Sequence, residues 1–523
     1  MKRSASVSGI FTFRRAYLLF MLAILVGLPL SKYVASASQI LLLLTWLTEA
    51  RFKEKWLRFR ERPAILIFCL LFIMHLAGLI YTRDWSYAWH DLKIKLPLLI
   101  LPVILGTIDP VNEREKKILL GGFVVAVLTS VAVGLLVLSG VVPYHISNFR
   151  EISVFISHIR FALMIDLAVF ILFYYAFIPG VKTSFRVLLV GTATFLTGFL
   201  LLLESLTGLV VLVLGGLVLA IRWTRKQKDL MTRWFLFVGI SMVPLLILLY
   251  LSNQVDQFYT VRDDLSHLDH QTVNGNPYWN DTTNTKLENG HFVGLYVCEP
   301  EMRRSWNRIS KINYKGTDSL GQEIRYTLRR YLTSKGYRKD SVGVNRLDST
   351  DIRLIESGYA NCRYRNKNRF SNRIYELIWE IDNYRKGGNP SGHSVTQRLE
   401  YLRTGWLIFM DHPLIGVGTG DVAQAFKDKY KEIKTRLEPQ WQLRTHNQFL
   451  TFAITFGGVG FLLFLFSVIY PAVLEQRFST YFFLMFILTV LLSMLNEDTL
   501  ETQAGVAFFA FFYSFFTFCD GTE

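Results

Sequence analysis

The feature that most constrains this chain is a succession of apolar runs, each long enough, or nearly so, to cross a bilayer. A crossing takes about 20 mostly apolar residues. Such runs lie at about 16–34, 36–50, 64–82, 90–108, 118–140, 160–179, 186–204, 206–222, 234–252, 448–470, 478–496 and 503–519. The second and fourth are short or polar-edged. The expected fold is an all-α polytopic membrane protein with about twelve transmembrane helices. Composition points the same way: 51% of the 523 residues are hydrophobic and only 19% are charged, below the roughly 25% of an ordinary soluble chain. Disorder, coiled coil and collagen are excluded by these numbers, and four cysteines are too few for a disulfide scaffold.

The net charge of +16 would suggest nucleic acid in a soluble protein. Here the basic residues form blocks against apolar runs, which is the signature of topology. Lys2, Arg3, Arg14 and Arg15 precede the first run. Arg51, Lys53, Lys55, Arg58, Arg60 and Arg62 form a second block, and Arg222, Arg225, Lys226 and Lys228 a third. With the N-terminus inside, these blocks and the loops at 109–117 and 181–186 all fall in the cytoplasm, so no nucleic-acid partner is expected. The opening run and Val34-Ala35-Ser36-Ala37 mimic a secretory signal, but another apolar run follows at once and favours a first span.

This map divides the chain into an N-terminal transmembrane bundle at 1–252 with about nine spans, an outer stretch at 253–447, and a C-terminal bundle at 448–523 with about three. The outer stretch mixes aromatics and charges, as in Tyr326, Arg329, Arg330, Tyr331 and Leu332, and lacks the bias of a linker. A compact, mainly helical domain is expected over 253–395, with membrane-hugging helices to 447. The stretch carries about seven more basic than acidic side chains, which suits an anionic ligand. Cys298 and Cys362 both lie in it and are open to pairing or to burial as free thiols.

No P-loop, GxGxxG, HExxH or CxxC pair is present. Gly416-Val417-Gly418-Thr419-Gly420 reads either as a phosphate-binding turn or as a tight bend between helices. Polar residues at the outer membrane face are more informative. Residues 397–410 open an amphipathic helix with apolar positions 399, 402, 406, 409 and 410 on one side, as expected for a helix lying in the lipid interface. Arg398 and Arg403 sit about 140° apart on it. Arg444-Thr445-His446-Asn447 leads straight into a span, where a histidine needs a partner. Arg160 opens another span at the same face and also needs an anion or an acid, with Glu204 as the candidate. Arg160, Arg398 and His446 together suit a substrate bearing phosphate, which arginine grips bidentately.

From Arg398 onward the pattern Arg398-Leu-Glu-Tyr-Leu, Pro413-Leu-Ile-Gly416-Val-Gly418-Thr-Gly420, His446-Asn447 and Phe456-Gly457-Gly458-Val-Gly460 resembles the O-antigen ligase and polymerase family. In the outer domain, Asn274-Gly-Asn-Pro-Tyr278, Glu288-Asn-Gly290, Arg330–Gly336, Lys339-Asp340 and Asn389-Pro-Ser-Gly-His393 resemble its Bacteroidetes form. The resemblance implies a GT-C-like membrane glycosyltransferase. Its donor would be a glycan on undecaprenyl pyrophosphate at the periplasmic face of the inner membrane. A ligase passes the glycan to the lipid A core, and a polymerase passes it to another lipid-linked repeat.

The resemblance further implies two arginines, one histidine and no metal or other cofactor. Arg398 and His446 match by their surroundings and carry the catalytic expectation. The family's other arginine often lies in a Ser-Arg-Gly stretch near a span end, where this chain reads Glu204-Ser205-Leu206-Thr207-Gly208, so Arg160 takes that role on topology. Arg403, Arg444, Asn447, Gly416 and Gly418 complete the expected contacts to pyrophosphate or glycan. Fixed arginine charge lowers the barrier to diphosphate departure, and His446 is the candidate base for the acceptor hydroxyl. A single displacement would invert the anomeric centre. A transporter of lipid-linked sugars is the competing class. It predicts charges inside spans, and Asp166 and Glu204 are the main ones here.

Overall fold

The computed structural model describes residues 7–144, 149–366 and 369–521. Lys2 and Arg3 of the first basic block lie outside them. Among the described residues the fold is all-α apart from one hairpin of two-residue strands, and the chain forms two compact units, residues 1–223 with 398–523 and residues 224–397.

Among the described residues, eight helices are long and apolar enough to cross a membrane: Phe13–Leu30, Pro63–Tyr81, Glu113–Leu138, His158–Ala176, Thr183–Leu202, Leu206–Arg225, Leu230–Tyr259 and Gln448–Leu474. The other four expected runs fold as shorter helices. Residues 36–50 belong to Lys32–Thr48. The run at 90–108 breaks at Leu96 into Trp85–Lys95 and Pro97–Thr107, because proline lacks the N–H that a continuous helix needs. The last two runs become Tyr481–Met494 and Gln503–Ser514. Gln503–Ser514 is buried continuously from Gly505 to Ser514. A helix apolar all round belongs at the centre of a bundle, and Phe508, Phe509 and Phe512 meet Phe68, Phe123 and Phe486 there.

Helix Gln448–Leu474 carries the break that shapes the end of the first unit. Gly457 sits at φ 68° and ψ −169°, outside the helical region. The carbonyls freed by this break do not go unpaired: Ile454 accepts from the N–H of Val417 and Thr455 from that of Gly418, both at 2.9 Å. In return the N–H of Gly458 donates to the carbonyl of Pro413 at 2.7 Å. A Cβ at Gly457 would lie 2.1 Å from the Leu414 backbone, so only glycine fits.

The second unit has its own core of Met302, Trp306, Leu328, Tyr331, Val344 and Ile355, on helices Glu299–Ile309, Ile324–Ser334, Ser341–Asn345 and Ser349–Glu356. Its hairpin pairs Leu287–Glu288 with His291–Phe292. The turn is Asn289-Gly290, both at positive φ, the dipeptide that a two-residue turn of this hand requires. Cys298 and Cys362 are free thiols. Helix Leu230–Tyr259, which contains the expected span 234–252, belongs to this unit and leaves most of its apolar surface exposed.

Candidate active site

Four segments of the first unit bring polar side chains to one end of its bundle. They are the start of helix His158–Ala176, helix Ser394–Asp411 from Arg398 onward, the loop 444–447 and the loop 495–502. The amphipathic reading of the second segment holds in part. Leu399, Trp406 and Met410 are exposed and Leu402 and Phe409 half-buried, Phe409 against the bundle, while Tyr401, Thr404 and Ile408 are buried.

Glu497 is the centre of the group. Its carboxylate accepts from Arg398 Nη2 at 3.3 Å and lies within Coulombic range of His446 and Arg160. Burial raises the Glu497 carboxyl above its ordinary range, against the pull of His446, Arg398 and Arg160. Asp498, next in sequence, does a different task. One of its oxygens accepts from the hydroxyls of Thr445 (3.2 Å) and Thr451 (2.8 Å), and the other accepts from the backbone N–H of His446 at 3.2 Å. His446 sits at φ 49°, an uncommon place for a side-chain-bearing residue. Asp498 therefore braces the strained backbone that presents the imidazole. The ring of Tyr401 lies 5.5 Å from that of His446 and is fixed by a 2.7 Å bond from its hydroxyl to the Trp441 carbonyl.

Arg160 donates to Ser157 Oγ at 3.0 Å, and its buried Nε has no hydrogen-bond partner among the described residues. The carboxylates in Coulombic reach of Arg160 are Glu497 and Asp498, not the expected Glu204, which occupies a left-handed turn between two other helices. Arg160, Arg398 and His446 are thus gathered around one acid.

The remaining expected contacts, Arg403 apart, are engaged elsewhere. Asn447 caps helix Gln448–Leu474, accepting from the Leu450 N–H at 2.8 Å and donating to the Leu495 carbonyl at 2.9 Å. Arg444 donates to Tyr87 at 2.7 Å and to Glu501 at 3.2 Å. Glu501 also accepts from Lys95 (3.0 Å) and Gln448 (3.1 Å), in a buried cluster that ties loop to helix. Arg403 is exposed. The N–H groups of Gly416 and Gly418 donate to the carbonyls of His412 and Thr455, so the glycine turn docks on the broken helix. A Cβ at Gly416 would come within 2.4 Å of Thr455. Among the described residues, no three His, Cys, Asp or Glu side chains are placed to hold a metal ion.

Sequence reasoning missed Glu497 and Asp498. Their signal was available: two adjacent carboxylates between two short apolar runs, where an unpaired charge is costly.

Comparison with protein families matches residues 361–465 to the model described as O-Antigen ligase. The matched stretch contains Arg398, Gly416, Gly418 and His446 and most of the motifs that carry the resemblance, while Arg160, Glu497 and Asp498 lie outside it. No curated protein matches the chain. With the membrane helices, the match supports a multi-pass membrane enzyme of the ligase and polymerase kind, acting on lipid-linked glycans.

Proposed function

We propose that this chain, on the premise of its O-antigen ligase match, is a membrane glycosyltransferase of the ligase type. It passes a glycan from undecaprenyl pyrophosphate to a hydroxyl of the lipid A core at the periplasmic face of the bacterial inner membrane. The observation that carries the reading is the gathering of Arg160, Arg398 and His446 around Glu497. The Arg398–Glu497 bond is long and single, and Arg398 is 28% exposed. A diphosphate offers the same fork a better partner and displaces the acid. Burial favours the protonated form of Glu497, so the displaced carboxyl takes up a proton and leaves no unpaired buried charge.

Chemistry follows from that exchange. As the glycosyl–phosphate bond breaks, negative charge grows on the leaving diphosphate, and Arg398 and Arg160 stabilise it from fixed positions away from bulk water. His446 takes the proton of the acceptor hydroxyl as that oxygen attacks the anomeric carbon. One displacement inverts the anomeric centre. The arginines supply the charge that a metal would otherwise bring, so the reaction proceeds without one.

Polymerisation of lipid-linked repeats uses the same donor and site. The excess of about seven basic side chains in the outer stretch favours an anionic acceptor such as lipid A core. The test is lipopolysaccharide from cells lacking the protein, beside cells restored with wild type or His446→Ala. Bare core with long glycan held on undecaprenyl pyrophosphate is the expected result for a ligase. Core bearing a single repeat would move the assignment to polymerase, and an unchanged pattern would return the transporter.

A further inference from the structure

We propose that the second unit contains a sugar-binding pocket, lined by residues between 330 and 393 and held from below by Glu288, that takes one uncharged pyranose ring of the glycan acceptor. Its existence as a sugar site stands on the pocket alone, and its assignment to the acceptor rests on the transferase reading above.

The pocket begins with the Asn289-Gly290 turn, which sets the direction of Glu288. Glu288 is fully buried and accepts three hydrogen bonds, from Arg330 Nε at 2.6 Å and from Asn361 Nδ2 and the Tyr375 hydroxyl at 2.8 Å each. Asn361 is also bonded to the Tyr375 hydroxyl at 2.8 Å. Three of these four residues, Arg330, Asn361 and Tyr375, line the cavity above, so its floor is rigid before any ligand arrives. The Arg330 guanidinium lies 4.3 Å over the ring of Trp379 and fixes that ring as well.

The walls are aromatic. Tyr359 and Tyr364 stand with ring centres 5.1 Å apart and 40° between their planes, and the His393 ring meets Trp379 at 5.5 Å. They border a half-open cavity of about 170 Å³. A cavity of about 150 Å³ accepts a benzene ring, so this one has room for a single six-membered ring. A pyranose presents apolar C–H faces and a rim of hydroxyls. Flat aromatic walls suit the first, and the fixed polar groups of Arg330, Asn361, His393 and Glu376 suit the second.

Charge favours a plain sugar over a phosphate. Arg330 is neutralised by Glu288, and Glu376 by Arg373 at 2.6 Å. Burial lowers the pKa of His393, with Arg330 acting in the same direction against Glu376, which favours the neutral imidazole with one donor and one acceptor. Among the lining residues, the one arginine is already paired. Three stretches distant in sequence, around Glu288, Arg330 and His393, converge here, and the arginine–histidine site uses none of them.

The test uses the full chain in lipid nanodiscs. The probe is the lipid-free core oligosaccharide released from the lipopolysaccharide of the same cells, with binding read by saturation-transfer NMR. Tyr359→Ala removes an exposed wall from the rim, and Trp379→Phe shortens an inner wall while keeping it aromatic. Tyr359→Ala should weaken oligosaccharide binding and raise the acceptor KM by about tenfold, the equivalent of one ring contact. It should leave kcat and the donor KM within about twofold. Trp379→Phe should give a smaller change in the same direction. Absence of saturation transfer to wild type overturns the pocket, as does equal binding by wild type and both variants. If the oligosaccharide binds and Tyr359→Ala weakens it while no glycan transfer is detected, the pocket stands and the transferase reading falls.

Discussion

Arg330–Glu288 in the second unit and Arg398–Glu497 in the first unit pair the same two chemical groups under different conditions. Glu288 is completely buried, holds Arg330 at 2.6 Å and accepts two further donors. Glu497 is 12% exposed, lies 3.3 Å from Arg398, and has a carboxyl that burial has raised. The first acid has every neighbour it needs, and removing it would strand buried donors. The second is held by one long bond and crowded by three basic groups. A satisfied pair builds a structure, whereas the under-satisfied one is the pair that the proposed mechanism opens to a ligand's phosphate.

The sharpest way to break this comparison is at the chemistry of the membrane site. His446→Ala removes the proposed base and should lower transfer by about 10²–10⁴-fold, with the protein still in the membrane, measured as glycan transfer by the purified enzyme. Normal transfer would remove His446 from the mechanism. Next, Arg398→Ala should cost about 10²–10³-fold, and Arg398→Lys should recover little of it because a point charge cannot reproduce a planar fork. Arg160→Ala should cost less, since Arg160 has no direct bond to either acid. Full activity of that variant would make Arg160 a lipid anchor.

The stability side of the comparison predicts a smaller effect with opposite placement. Glu288→Ala strands Asn361 and Tyr375 and should destabilise the second unit by about 3 kcal/mol, read as protease sensitivity of the full chain in detergent. Glu497→Gln should leave that sensitivity unchanged while altering donor binding. Equal destabilisation by both would erase the distinction between them.

Acid should sharpen it further, with the smallest effect. Burial pushes the Glu301 carboxyl up, but hydrogen bonds from Thr272, Asn276 and Ser341 outweigh that and hold it at about 2. A carboxyl held low stabilises the fold fully above its ordinary value near 4.5 and loses that contribution as pH falls toward about 2. Glu301→Gln should flatten this acid loss in a series of urea midpoints. Glu497 has the opposite slope. Its native form binds the proton more tightly than the unfolded chain, so its contribution falls as pH rises from the ordinary carboxyl range through its raised value.

Much of the architecture was legible in the sequence, with informative departures. Eight apolar runs fold as membrane-length helices, because hydropathy sums over neighbours in sequence. The run at 90–108 broke at Leu96, just before Pro97, a residue visible in advance. Glu204 drew attention as an acid near Arg160's depth, but depth does not fix which helices are neighbours. Glu497 and Asp498, some fifty residues beyond His446, came into view only when the chain folded back on itself. The glycine cluster at 416–420 admitted two readings, and the break at Gly457 explains its use as a docking turn, since it alone supplies the unpaired carbonyls.

The sequence by itself determined the apolar helices, the basic blocks and the motif positions of Arg398 and His446, all of which depend on residues close together along the chain. Only the tertiary structure decided that Arg398 bonds Glu497 with His446 and Arg160 in Coulombic range, that Asp498 braces the histidine backbone, and that Glu288 underlies a pocket of aromatic walls. Those outcomes rest on distance and burial. An ion pair weakens with separation and strengthens as water leaves, and neither quantity is written in the order of the residues.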